Sequence, residues 1–149
     1  APCLRAGERA TALRGGADLI DHLPHCRRLW VVDACVGGDP PGTVARWRWP
    51  VAVNLPGGRA SSHGFGLADA LRLAEQMGSL PASVVLLTVD IGRTPLPEES
   101  LSPPVAQSIA ILETQWRRET ALSLRELQSM PDRIVLHMPD RWEAAANDA

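Results

Sequence analysis

Two residues of this 149-residue chain combine a reactive type with a telling position. Asp33 closes the apolar run Leu29–Ala34 (LWVVDA), and His63 lies in Ser61–Leu67 (SSHGFGL), just ahead of a helical pattern. In an open α/β sheet, ligands bind outside the carboxyl ends of strands and at the helix N-termini that face them. Both residues therefore fall where this architecture puts chemistry. A helix N-terminus carries partial positive charge and disfavours imidazolium. The neutral ring it leaves is the form that ligates a metal or accepts a proton, and Gly64 and Gly66 clear space around it. A carboxylate and an imidazole can share a proton, a metal ion or a water, and the pair alone does not choose. Each also has a structural alternative: an Asp at a strand end can bind loop amides, and a loop histidine can satisfy a nearby carbonyl.

Other residues give weaker signals. His22, His25 and Cys26 form H-x-x-H-C, a ligand set that suits zinc. Pro24 interrupts it and no second ligand pair follows at finger-like spacing, so a polar helix end is expected. Cys35 follows Asp33 closely and reads as a buried structural thiol. Trp47 and Trp49 alternate with Arg46 and Arg48. That pattern could stack bases, but two tryptophans on one face of a strand more often pack into a core. The phosphate-loop, dinucleotide, G-x-S-x-G and H-E-x-x-H motifs do not occur.

The elements that must position these residues follow from periodicity and breakers. Ala10–Arg14 reads as a short strand, Gly15-Gly16 as a break and Ala17–Leu23 as a short helix. Leu29–Ala34 is apolar without alternation, as in a strand buried on both faces. A Gly- and Pro-rich turn follows at residues 37–42, and Thr43–Trp49 alternates like a strand with one face more exposed. Val51–Ala60 reads as loop. Ser61 or Ser62 can cap a helix from Gly64 to Gly78. Ser83–Val89 is a second apolar strand and Gly92–Ser100 a Pro-rich loop. Ser102, with Pro103 and Pro104 in the first turn, opens a long helix toward Leu127. Met130–Met138 reads as extended, within a tail from 130 to 149 of less defined structure. Strands alternating with helices predict an α/β fold, a sandwich with a mainly parallel sheet.

Composition narrows the class. Apolar content of 45%, charged content of 21% and a net charge of −2 suit one globular domain, not a disordered chain or a general nucleic-acid binder. All 15 basic residues are Arg. The three cysteines, Cys3, Cys26 and Cys35, make no C-x-x-C and no disulfide framework, which fits a reducing compartment. No signal peptide and no membrane-length apolar run is visible.

The ordered blocks VVDACVGGDPPGTV (Val31–Val44), SSHGFGLADALRLAEQMGSLP (Ser61–Pro81) and SLSPPVAQSI (Ser100–Ile109) resemble those of the hydrogenase maturation proteases across about residues 10 to 118. Gly15-Gly16 resembles a glycine pair near that family's cleft. The resemblance implies a three-layer α/β/α sandwich with a mainly parallel twisted sheet. It also implies a cytoplasmic endopeptidase that removes the C-terminal extension of a nickel-loaded nickel-iron hydrogenase large-subunit precursor. Nickel would come with the substrate, and neither nucleic acid nor a membrane would be a partner. The family's second acidic ligand falls on Asp33 and its histidine on His63; the catalytic group stays unassigned.

The family opens with a glycine-rich motif that supplies its first strand and first acid. Residues 1–16 do not match that motif, and Glu8 is the only acid there. The expectation is a single domain over 1–149 that is N-terminally incomplete, with true loss of the first ligand as the other account. Two rival functions stay open: a non-catalytic protein of the same fold that docks on a hydrogenase large subunit, and a zinc protein using His22, His25 and Cys26.

Overall fold

In a computed structural model, residues 4–50, 66–92 and 100–140 are described. Their order is α1 (Gly16–His22), a 3₁₀ turn (Leu23–His25), β1 (Arg28–Cys35), β2 (Val44–Arg48), α2 (Leu67–Gln76), β3 (Ser83–Asp90), α3 (Pro103–Thr120), α4 (Leu124–Ser129) and β4 (Arg133–His137). The expected elements are largely present. No strand forms over Ala10–Arg14, however. The long helix stops at Thr120, and Ser123 begins a separate α4 through a capping box with Glu126. The expected caps Ser61 and Ser62 lie outside the described residues; the N-cap of α2 is Gly66.

The protein is α/β, with a four-stranded open sheet in the order β1-β3-β2-β4. The sheet corrects the mainly parallel expectation. Among the described strands only β1–β3 is parallel, whereas β2 runs antiparallel to both β3 and β4. The cause lies in the link over residues 36–43. A parallel return needs a crossover of a dozen residues or more, usually helical. This short Gly- and Pro-rich turn carries none, so the chain reverses into β2 and leaves the position beside β1 for β3.

Burial follows from that order. β3 is central and buried at every position. β1 pairs only with β3 among the described strands and is not buried on both faces as its composition suggests; Val32 is 59% exposed. The alternation of β3 splits the core. Val84 and Leu86 pack with Leu19, Leu71 and Trp47 under α1 and α2. Val89 packs with Val44 and with Val105 of α3. Helices thus flank the sheet. No helix among the described residues is long and apolar enough to cross a membrane.

Contrary to the expectation of a more exposed face, β2 is buried through Val44–Trp47. Its Arg46 is covered by α3 and answered there by Glu119. Arg46 Nε donates to Glu119 Oε1 at 2.8 Å and Nη2 lies 2.6 Å from the same oxygen. Gln115 Nε2 donates to Glu119 Oε2 at 2.9 Å, which leaves Arg46 Nη1 buried without a partner.

Candidate functional site

Asp33 sits in β1 opposite Thr88 of β3, near the carboxyl ends of the one parallel pair. Its side chain shares the parity of Leu29 and Val31, which pack toward the core under α1 and α2. It therefore faces the α2 side of the sheet. Residues 77–82 lead from the end of α2 to the start of β3. The N-terminus of α2 accordingly points back toward the carboxyl ends, on the face that Asp33 uses.

The Asp33 residue is exposed and pairs with no cation among the described residues. Partial burial of its carboxyl raises the pKa above the ordinary carboxylate value, against a smaller lowering by the Ala34 backbone N–H. His63 lies outside the described residues, as does all of 51–65. The candidate site is thus described on its strand side alone, as an exposed carboxylate near the end of β1.

Beside it, the Cys35 thiol is buried. Burial pushes its pKa up from 9.0 to about 11, helped by the Asp90, Asp33 and Asp39 carboxylates and opposed by a hydrogen bond with Thr88. A neutral thiol at neutral pH is a poor nucleophile, which agrees with a structural Cys35.

Asp90, which sequence reasoning passed over, organises this end of the sheet. It is 3% exposed. Its Oδ2 accepts from the backbone N–H of Gly37 at 2.9 Å and of Asp39 at 3.1 Å, and its Oδ1 accepts from Gly92 at 2.8 Å. Its main chain joins the same loop: Gly42 N–H donates to the Asp90 carbonyl at 2.7 Å, and Asp90 N–H donates to the Thr43 carbonyl at 2.9 Å. The sequence signal was available, since each parallel strand carries an acid at or near its end, within a few residues of a glycine. The two acids differ in role: Asp33 is open, whereas Asp90 is consumed by amides.

The remaining candidates are structural. His22 and His25 are exposed, and the Cys26 thiol donates to the Leu23 carbonyl at 3.6 Å. No group of three or more His, Cys, Asp or Glu among the described residues could hold a metal ion, so H-x-x-H-C does not assemble a zinc site. Trp47 is 4% exposed, donates from its indole N–H to Thr88 Oγ1 at 3.0 Å and lies under the Arg133 guanidinium. Trp49 packs against the same core. Both are core residues, not a stacking platform.

The described residues define an α/β protein whose open, helix-flanked sheet carries an exposed carboxylate near a strand's carboxyl end. Its family follows from comparison. The sequence model of the hydrogenase maturation protease family (HycI) matches residues 14–118, and the chain belongs to that family. Among solved structures it is similar to the hydrogenase maturating endopeptidase HybD from E. coli. The two are 25% identical with a TM-score of 0.56, over 71% of this chain and 67% of that one. Among curated proteins nothing matches.

Proposed function

We propose that this chain is a cytoplasmic endopeptidase that removes the C-terminal extension of a nickel-loaded nickel-iron hydrogenase large-subunit precursor, using Asp33 and His63 to engage the precursor's nickel. The observation that carries this is Asp33, an exposed carboxylate with no cationic partner among the described residues, on the sheet face and end toward which α2 opens. His63 stands three residues before the α2 cap Gly66, a step of at most about 11 Å of extended chain. Family membership supports the protease class. The three-layer α/β/α arrangement belongs to the same proposal, with α1 and α2 on one face of the sheet and α3 on the other.

Nickel here is cargo of the substrate. A carboxylate and an imidazole are suitable oxygen and nitrogen ligands for divalent nickel, and two such ligands leave most of its coordination to the precursor. That division makes recognition conditional, because only a precursor already holding metal presents something for both side chains to bind. The chain's part is to fix the metal-bearing end of the substrate so that the scissile bond is held near a water. The buried neutral thiol of Cys35 is not the nucleophile.

The test is the mobility shift of a nickel-loaded precursor on losing its extension. Asp33→Ala and His63→Ala proteins that fold as wild type should leave the precursor intact. Wild-type processing by folded His63→Ala would remove the central residue of the proposal and favour a docking protein that does not cut.

A further inference from the structure

Among the described residues no side chain holds the Asp33 carboxylate and β1 pairs with β3 alone, so its position depends on what fixes the ends of these two strands. The loop that leaves β1 contains three glycines and two prolines in residues 36–43 and belongs to no helix or strand. Asp90 supplies what the loop lacks. One buried carboxylate gathers three backbone N–H groups from two segments: Gly37 and Asp39 after β1, and Gly92 after β3. The loop is also tied at its far end by the Gly42 and Thr43 bonds to the Asp90 main chain, and Ile91 N–H donates to the Cys35 carbonyl at 3.0 Å.

Packing continues the knot. A Cβ on Gly42 would lie 2.6 Å from the Pro104 carbonyl oxygen, and one on Gly92 would lie 2.7 Å from Pro41 Cγ. The exits of β1 and β3, the start of β2 and the first turn of α3 thus meet around one side chain. Asp33 lies four residues before Gly37, on the strand that this knot terminates.

We propose that Asp90 is a positioning residue for the Asp33 site: its carboxylate locks the two loops at the carboxyl ends of the parallel strands, and through them sets where Asp33 is presented to substrate. Asp90 itself is buried and spent on amides, so it does not touch substrate. The role rests on the endopeptidase reading above, and its signature differs from that of a general stabilising residue. Loosening the loops displaces a group that aligns the reaction, and misplacement by about 1 Å can cost on the order of 100-fold in rate. Because Asp33 also engages the precursor's nickel, the loss should fall on kcat and raise KM as well.

The experiment compares Asp90→Ala, Asp90→Asn and Leu127→Ala with wild type, on a nickel-loaded precursor, at a temperature where circular dichroism shows all four folded. Leu127 is 1% exposed on α4, away from the loops, and supplies a destabilised control. Asp90→Ala loses all three acceptor bonds and should lower kcat by about 10- to 100-fold and raise KM. Asp90→Asn keeps one carbonyl oxygen and should recover part of that loss. Leu127→Ala should keep wild-type kcat despite a lower Tm. Amide exchange at Gly37, Asp39 and Gly92 should accelerate in the Ala variant and less in the Asn variant. Wild-type kcat in folded Asp90→Ala, or a loss no greater than in Leu127→Ala, would overturn the Asp90 role alone. A wild-type protein that never cleaves the precursor would overturn the endopeptidase reading and this role with it.

Discussion

At the scale of single residues, position against the sheet separates acids that composition cannot. Asp33 and Asp90 each end an apolar run, and each could bind loop amides or a ligand. Register decides: Asp33 lies opposite Thr88 and stays exposed, while Asp90 lies opposite Cys35 and is buried against three N–H groups. The placement of Asp33 near the carboxyl end of a strand was legible because a strand end is a local property. The use of Asp90 was not, since its partners come from the loop after β1, some fifty residues earlier, and sequence spacing does not reveal them. The Cys35 thiol gives a direct measurement at this scale. With its pKa near 11 instead of 9.0, alkylation of Cys35 by iodoacetamide should be slow at pH 8 and climb steeply above pH 10. Mass spectrometry of the Cys35 peptide across pH would show this; a plateau below pH 9 would contradict the burial. Cys35→Ala should also process precursor close to the wild-type rate.

At the scale of elements, strands and helices were largely legible from their periods, and the errors arose where tertiary partners overrode pattern. The Arg46 and Arg48 alternation suggested a wet face of β2, but Arg46 pairs with a residue 73 positions away on α3. Removing one member of a buried pair leaves the other uncompensated, so Glu119→Ala should destabilise by about 3–5 kcal/mol, read as a shift of the urea midpoint. The break between α3 and α4 did have a local signal that the long helical pattern masked, the S-x-x-E of Ser123 and Glu126. Ser123 N–H donates to Glu126 Oε2 at 2.7 Å and Glu126 N–H to Ser123 Oγ at 3.2 Å. These bonds hold the Glu126 carboxyl below its ordinary 4.5. A depressed folded-state pKa gives stability that is complete above the unfolded value and lost as pH falls through the folded one. The α4 amides should therefore exchange faster as pH drops below about 4.5, after correction for intrinsic rates, and Glu126→Gln, which removes the titrating carboxyl, should abolish that dependence. The P-P-G turn is another element-scale device. Gly42 holds φ at 90° with Pro104 against it. Gly42→Ala should cost roughly 1–2 kcal/mol from the backbone alone, with the Pro104 clash in addition, measurable as a lower Tm.

At the scale of the whole molecule, the sequence names the α/β class but not the order or direction of strands, because these depend on which edges meet after the local elements form. Leu29–Ala34 and Ser83–Val89 are equally apolar runs, yet one becomes an edge among the described strands and the other the centre. That difference should be visible in hydrogen exchange. β3 is paired on both sides and buried throughout, so its amides should open only with global unfolding. β1 is paired on one side, and in a parallel ladder its N–H groups alternate between partner and open edge. Residue-resolved exchange on β1 should therefore alternate between slow and fast, with its fast amides orders of magnitude quicker than any in β3. Uniformly slow exchange along β1 would mean that its outer edge is covered by a further strand or by a second chain. Exchange repeated across a hundredfold range of protein concentration separates these two, since only the second chain dissociates on dilution.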